Sequence, residues 1–226
     1  MNLSISSTWF ILLIIVSAGI AVSYYVGYRK NLTFIRESAA ALEKALKPKD
    51  QTYTWLGGVI GFSGEFAVKG FNRVHASLFT LPRQSLLYFP IALFTTGYDR
   101  LDVLFYLRGK AWNEVHALRR RGGKKIKIYN RDLLREERVT LGGEEFTLLY
   151  RMRNRDVDGL LELAERISGK GLVHMALTPE KSVLYVRLKV DPRELGQLED
   201  AISAVAEAAP RFAIREREKE KGRNEE

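Results

Sequence analysis

The chain contains no cysteine. That absence excludes disulfides, thiolate metal sites and cysteine nucleophiles together. Histidine is nearly as scarce: His75, His116 and His174 stand alone, with no i, i+4 pair to place two ligands on one helix face. There is no Gly-x-Ser-x-Gly elbow, no Walker loop and no kinase signature. Gly57, Gly58, Gly61 and Gly64 lack the Gly-x-Gly-x-x-Gly spacing, and no Gly-Lys-Ser/Thr follows, so they read as turn or bulge positions. The paired carboxylates Glu144-Glu145 fall at an expected hairpin turn, where charge is routine. With no nucleophile, metal set or cofactor motif, the expectation is a non-enzymatic protein that uses no cofactor.

Charge is absent from one stretch altogether. Trp9 to Val26 carries none, and its only serines are Ser17 and Ser23. As a helix these residues cover roughly 27 Å, close to the ~30 Å hydrocarbon core of a bilayer. Trp9 marks one end, and Tyr24, Tyr25 and Tyr28 mark the other, as headgroup-level aromatics do. Arg29 and Lys30 follow at once, which by the positive-inside rule puts the amino terminus outside and the rest in the cytosol. Ala21-Val22-Ser23 could pass for a signal-peptidase site, but a basic n-region is missing. The expectation is a single-pass membrane anchor over residues 1–30. Within it Gly19, Ser23 and Gly27 recur every four residues, a smooth face on which a transmembrane partner could dock.

The remaining chain is ordinary in hydrophobicity, 46% over the whole 226 residues, and basic, with a net charge of +9. The charge is unevenly placed. Arg119, Arg120, Arg121, Lys124, Lys125 and Lys127 cluster around Gly122-Gly123. A basic cytosolic domain on an anchor has two natural anionic partners, lipid headgroups and nucleic acid. A solvated loop is the bland alternative.

The pattern of the domain (residues 31–214) is α+β, with helices packed on antiparallel sheet. Asn31 to Pro48 reads as a helix with Leu32, Ile35, Ala39, Leu42 and Leu46 on one stripe. Its Asn31-Leu32-Thr33 matches a glycosylation acceptor, but the expected topology places it in the cytosol. Thr52 to Thr80 has the composition of two or three strands. Leu86 to Phe94 is an apolar run too short to span. Its length favours a buried core helix kinked at Pro90; the alternative is a membrane-surface segment presenting Leu86, Leu87, Phe89, Ile91, Leu93 and Phe94. Leu101 to Leu107 reads as a buried strand, and a strand is expected to begin at Ile126 and Ile128. The basic, glycine-containing stretch marks a sub-boundary near 110–130 as an expectation. Beyond it come a hairpin over Arg138–Arg151, a helix capped by Asp156, a hairpin over 172–190 and a helix opened by Asp191-Pro192-Arg193-Glu194. Residues 215–226 read as a charged tail, helical or disordered.

These features carry a resemblance. Tyr25-Val26-Gly27-Tyr28-Arg29-Lys30-Asn31, Arg83-Gln84-Ser85-Leu86-Leu87, and a strand and helix running into Arg211-Phe212 and a charged tail are similar to the calumin family. Those proteins are single-pass subunits of the PAT complex of the multipass translocon. The resemblance implies an adaptor or chaperone that assists multipass membrane-protein insertion. Its partners would be the ribosome and its RNA, the Sec translocon, a small Asterix-like membrane protein and the lipid bilayer. Two departures matter. The family's acidic luminal segment is reduced to Met1–Thr8, so calcium binding is not implied, and its long basic extension is cut short. Ribosome contact would then fall on Arg119 to Lys127. The rival expectation is a lipid-binding or scaffolding protein that uses the same basic patch.

Overall fold

Helix α1 runs unbroken from Ser7 to Leu46 in the computed structural model, which describes residues 7–120, 126 and 128–213. Its 40 residues cover about 60 Å. The expected anchor and the expected amphipathic helix are therefore one rod, and one part of it is long and apolar enough to cross a membrane. Its surroundings change abruptly. From Trp9 to Val26 every side chain is exposed except half-buried Ser23. From there on Gly27, Asn31, Phe34, Ile35, Ser38, Leu42 and Leu46 are buried, a single stripe at helical spacing. The helix ends where Lys47 takes a left-handed φ of 44° ahead of Pro48.

Nine strands follow: β1 (Gln51–Trp55), β2 (Gly61–Phe66), β3 (Phe71–Phe79), β4 (Asp99–Leu107), β5 (Val115–Arg119), β6 (Arg135–Leu141), β7 (Glu144–Tyr150), β8 (Leu172–Thr178) and β9 (Val183–Val190). They form one antiparallel sheet in the order β1-β2-β3-β4-β9-β8-β5-β7-β6. Because β4 pairs with β9, the segments on either side of residues 110–130 share that sheet. Helices α3 (Arg155–Ser168) and α4 (Leu195–Ala208) cover one face; α4 packs between α1 and α3. The core between the layers includes Phe62, Phe66, Phe105 and Phe146, all fully buried. Burial of a phenylalanine stabilises by about 1.5–3 kcal/mol. The α+β reading of the sequence holds at this level.

Several local expectations change. Ile126 and Ile128 are not in the strand expected there; β6 begins at Arg135, and β5, which was not anticipated, precedes the basic run. The cap of α3 is Asn154, whose Oδ1 accepts from the Asp156 and Val157 N–H groups at 3.1 and 3.3 Å. Asp156 therefore lies in the first turn. Asp191–Glu194 forms a turn before α4, held by the Arg193 N–H donating to Asp191 at 2.9 Å, and α4 starts only at Leu195. The hairpin turn at Gly142-Gly143 is as expected, with φ of 55° and 79°. Two consecutive positive φ values match a tight hairpin turn.

The largest correction concerns Leu86–Phe94. Helix α2 (Tyr88–Thr95) forms there, but Ala92 is its only buried residue. Pro90 occupies the first turn, where its missing N–H costs no helical hydrogen bond, so it does not interrupt α2. The run is not a core helix; its side chains point out.

Candidate membrane-surface site

Where α1 leaves its exposed apolar part, a polar network binds it to the segment before α2. Asn31, fully buried, donates through Nδ2 to the Leu81 carbonyl at 2.7 Å and to the Val59 carbonyl at 3.4 Å. Its Oδ1 accepts from Arg83 Nη1 at 2.9 Å. Arg83 also donates from both terminal nitrogens to Asp99, the first residue of β4. Asp99 is 2% exposed and accepts from the Leu81 N–H at 2.6 Å. A buried carboxylate is tolerable here because its lone pairs are met by a bidentate guanidinium and a backbone donor. Asn31 is thus committed within the fold, whatever its match to a glycosylation acceptor.

One turn earlier, Gly27 lies against the same segment. A Cβ at this position would stand 2.2 Å from the Arg83 carbonyl oxygen. This corrects the expectation of a smooth partner face: Gly27 is occupied by the chain's own backbone. Gly19, by contrast, has nothing within 4 Å of such a Cβ, so the open part of that face is Gly19 and Ser23.

The strand register shows which groups share this end of the sheet. Asp99 pairs with Val190, Leu188 with Leu172, and His174 with Leu118. The exit of β5 into Arg119 and Arg120 therefore lies at the same sheet end as the Arg83–Asp99 clamp. Arg29, Lys30, Arg83 and Pro192 line one crevice there; Arg119, Glu144, Lys170 and Lys189 line the next. The basic patch is partly neutralised. Arg119 is bidentate to Glu144, and Arg120 reaches Glu145 at 3.4 Å. The two glutamates at the hairpin turn thus have a specific electrostatic role. Arg121, Lys124, Lys125 and Lys127 lie outside the described residues.

The opposite sheet end carries a groove of about 1010 Å³ that the sequence did not signal. Arg73, Arg108, Lys110 and Lys181 line it, with Glu180 as the one acid among its lining residues. Arg73 lies over the Tyr106 ring at 4.3 Å and 3.5 Å from Glu65. These cations come from three separated segments, so no run in the sequence announces them.

Across the sheet face opposite the helices, two histidines thought isolated meet. His116 Nδ1 and His174 Nε2 are 3.2 Å apart, and His116 Nε2 is 3.2 Å from Glu114. Tyr185 packs edge-on to His174 and donates to Asp102 at 2.8 Å; Arg187 donates to the same carboxylate at 2.7 Å. Burial lowers the His116 pKa against the pull of Glu114. Burial, then the repulsion that a protonated His116 would exert and that of Arg187, lower that of His174 to about 3. Both shifts favour the uncharged rings. Among the described residues, no group of three or more His, Cys, Asp or Glu side chains could hold a metal ion.

Comparison of the chain with protein-family models gives no match, and comparison with curated proteins gives none either.

Two outcomes follow for stability. Arg83→Leu leaves Asp99 buried and unpaired, which should cost about 3–5 kcal/mol in denaturant unfolding of the membrane-reconstituted chain; a loss below about 1 kcal/mol would remove the clamp from this account. The histidine pair should make the fold acid-sensitive. The unfolded chain binds a proton near pH 6.5, whereas folded His174 resists it down to about 3. Stability is therefore full above about pH 6.5 and falls as pH drops towards 3, by roughly 2 kcal/mol at pH 5 for one such histidine. His174→Gln should flatten the decline between pH 7 and 5; an unchanged slope would assign it to other groups.

Proposed function

We propose that this protein is a membrane-anchored, non-enzymatic adaptor that holds a basic domain at a fixed height and orientation on the cytosolic side of a bilayer. The observation that carries this reading is the position of the 1010 Å³ basic groove, at the sheet end opposite the anchor clamp. In that arrangement Arg108, Lys110 and Lys181 look away from the bilayer, towards a polyanion approaching from the aqueous side. The calumin resemblance implies ribosomal RNA at the Sec translocon as that polyanion; the sequence puts the contact on Arg119 to Lys127, and we move it to this groove because Arg119 and Arg120 are paired with Glu144 and Glu145. The resemblance also names the service as multipass membrane-protein insertion alongside a small Asterix-like protein, which would use the Gly19 and Ser23 face of α1. Amino terminus outside follows from Arg29 and Lys30 flanking one end of the span.

The second reading, a lipid-surface scaffold, is favoured by a separate observation. Arg119 and Arg120 leave β5 at the anchor end of the sheet, where anionic headgroups attract each nearby cation by about 1 kcal/mol. The two basic ends therefore have different natural partners, and charge reversal separates them. In nanodisc-embedded full-length chain, Arg108→Glu with Lys110→Glu and Lys181→Glu should abolish co-sedimentation with ribosomes. Arg120→Glu with Arg121→Glu, which leaves the Arg119–Glu144 pair in place, should spare ribosomes and abolish any difference in proteolysis of the domain between anionic and neutral discs. Ribosome binding that survives the first triple reversal sinks the adaptor reading at this groove. A thiol probe at Gln51→Cys, reactive only from the cytosolic side of sealed vesicles, checks the orientation.

A further inference from the structure

The exposed run of α2 stands beside the point where α1 emerges from its apolar span. Leu87 is 86% exposed and Phe94 93%, and Leu86, Tyr88, Ile91 and Leu93 are exposed with them. Leaving so many large apolar side chains in water is unfavourable for an isolated soluble domain, where contiguous patches of this kind mark an interaction surface. Their height relative to α1 is set by Gly27 against Arg83 and by Asn31 bonded to Leu81 and Arg83, all within a few residues of α2. The β1–β2 turn is held at the same level. Asn31 donates to the Val59 carbonyl and Thr80 Oγ1 donates to it at 2.6 Å, while Trp55 and Ile60 remain exposed. Asn31 thus fastens two apolar projections one turn below Val26, the last residue of the uncharged span.

We infer that α2 and the β1–β2 turn are seated in the interfacial layer of the bilayer that α1 crosses, so that the domain rests on the membrane at three points. The occupant of this surface is lipid because the surface continues the apolar span of α1. Arg29 and Lys30 also line a crevice at the clamp, with Glu37 as its one acid, where anionic headgroups would meet them. A helix of eight residues is about 12 Å long, enough to lie in the plane of the interface and far too short to cross it. The rigid clamp gives the seating its purpose. A domain joined by a flexible linker would tumble; one pinned by α1, α2 and the turn presents its far groove in a single direction.

This inference rests on α1 spanning the bilayer, and the test separates the two. The chain has no native cysteine, so single variants accept a polarity-sensitive fluorophore cleanly. Val16→Cys, Leu87→Cys, Phe94→Cys, Ile60→Cys and, at the far end of the sheet, Met152→Cys are labelled in full-length protein in phosphatidylcholine–phosphatidylglycerol vesicles. Nitroxides placed shallow or deep on the acyl chains then read depth. The deep nitroxide should quench Val16, and the shallow one should quench Leu87, Phe94 and Ile60 several-fold more than Met152. If Val16 is quenched while Leu87 and Phe94 behave as Met152 does, the seating is wrong and the anchor stands. If Val16 also fails, the spanning reading falls and takes the seating with it. Quenching of Leu87 by a second labelled copy, dependent on protein density and not on nitroxide lipid, would assign the surface to self-association and overturn the proposal.

Discussion

The structure depends on one buried charge pair placed where a long helix changes its surroundings. From Trp9 to Val26 α1 is exposed except at half-buried Ser23; from Gly27 on, one stripe of it is part of the core. Such a helix is bound firmly to a domain only if the junction resists bending and sliding. Asn31, Arg83 and Asp99 supply that resistance through a bidentate ion pair and an amide that reaches two backbone carbonyls. Hydrophobic contact alone would be less directional. The polar network specifies one register of helix against loop, because any slip leaves a buried charge or donor unmet.

From that junction the rest of the geometry follows. The loop that carries Arg83 also carries α2, so fastening the loop fixes where an apolar helix meets solvent or lipid. Asp99 opens β4, the strand that pairs with β3 on one side and β9 on the other. The clamp is thus continuous with the centre of the sheet, and the direction of α1 is transmitted to both sheet ends. This turns a general basic excess into two patches with distinct orientations. One lies beside the exposed apolar part of α1 and is partly neutralised by Glu144 and Glu145; the other is grouped around Tyr106 and Arg108 at the far end.

Some local patterns in the chain point away from the folded arrangement. Leu86–Phe94 has the length of apolar runs that usually form core, yet composition does not specify what covers a run. Gly19 and Gly27 look equivalent in the sequence, but only the second has another segment's carbonyl pressed against it. His116 and His174 looked isolated because they are 58 residues apart, and only the pairing of β5 with β8 brings their rings together. Asp156 looked like a cap, but Asn154 reached the free N–H groups first.

What the sequence by itself determined is whatever one element expresses alone. The uncharged span, the stripe of α1 from Ile35 to Leu46, the glycine turn between β6 and β7, and the alternation of β9 belong here. Each is a local periodicity or a local backbone requirement, legible wherever it occurs. What only the tertiary structure decided is which groups are left unpartnered once distant segments pair. Arg119 is spent on Glu144, Lys110 and Lys181 are gathered into a groove, Asn31 is buried and Phe94 is left outside. The physical reason is that neutralisation and burial depend on the register between segments far apart in the chain. Spacing along one strand or helix carries no record of that register.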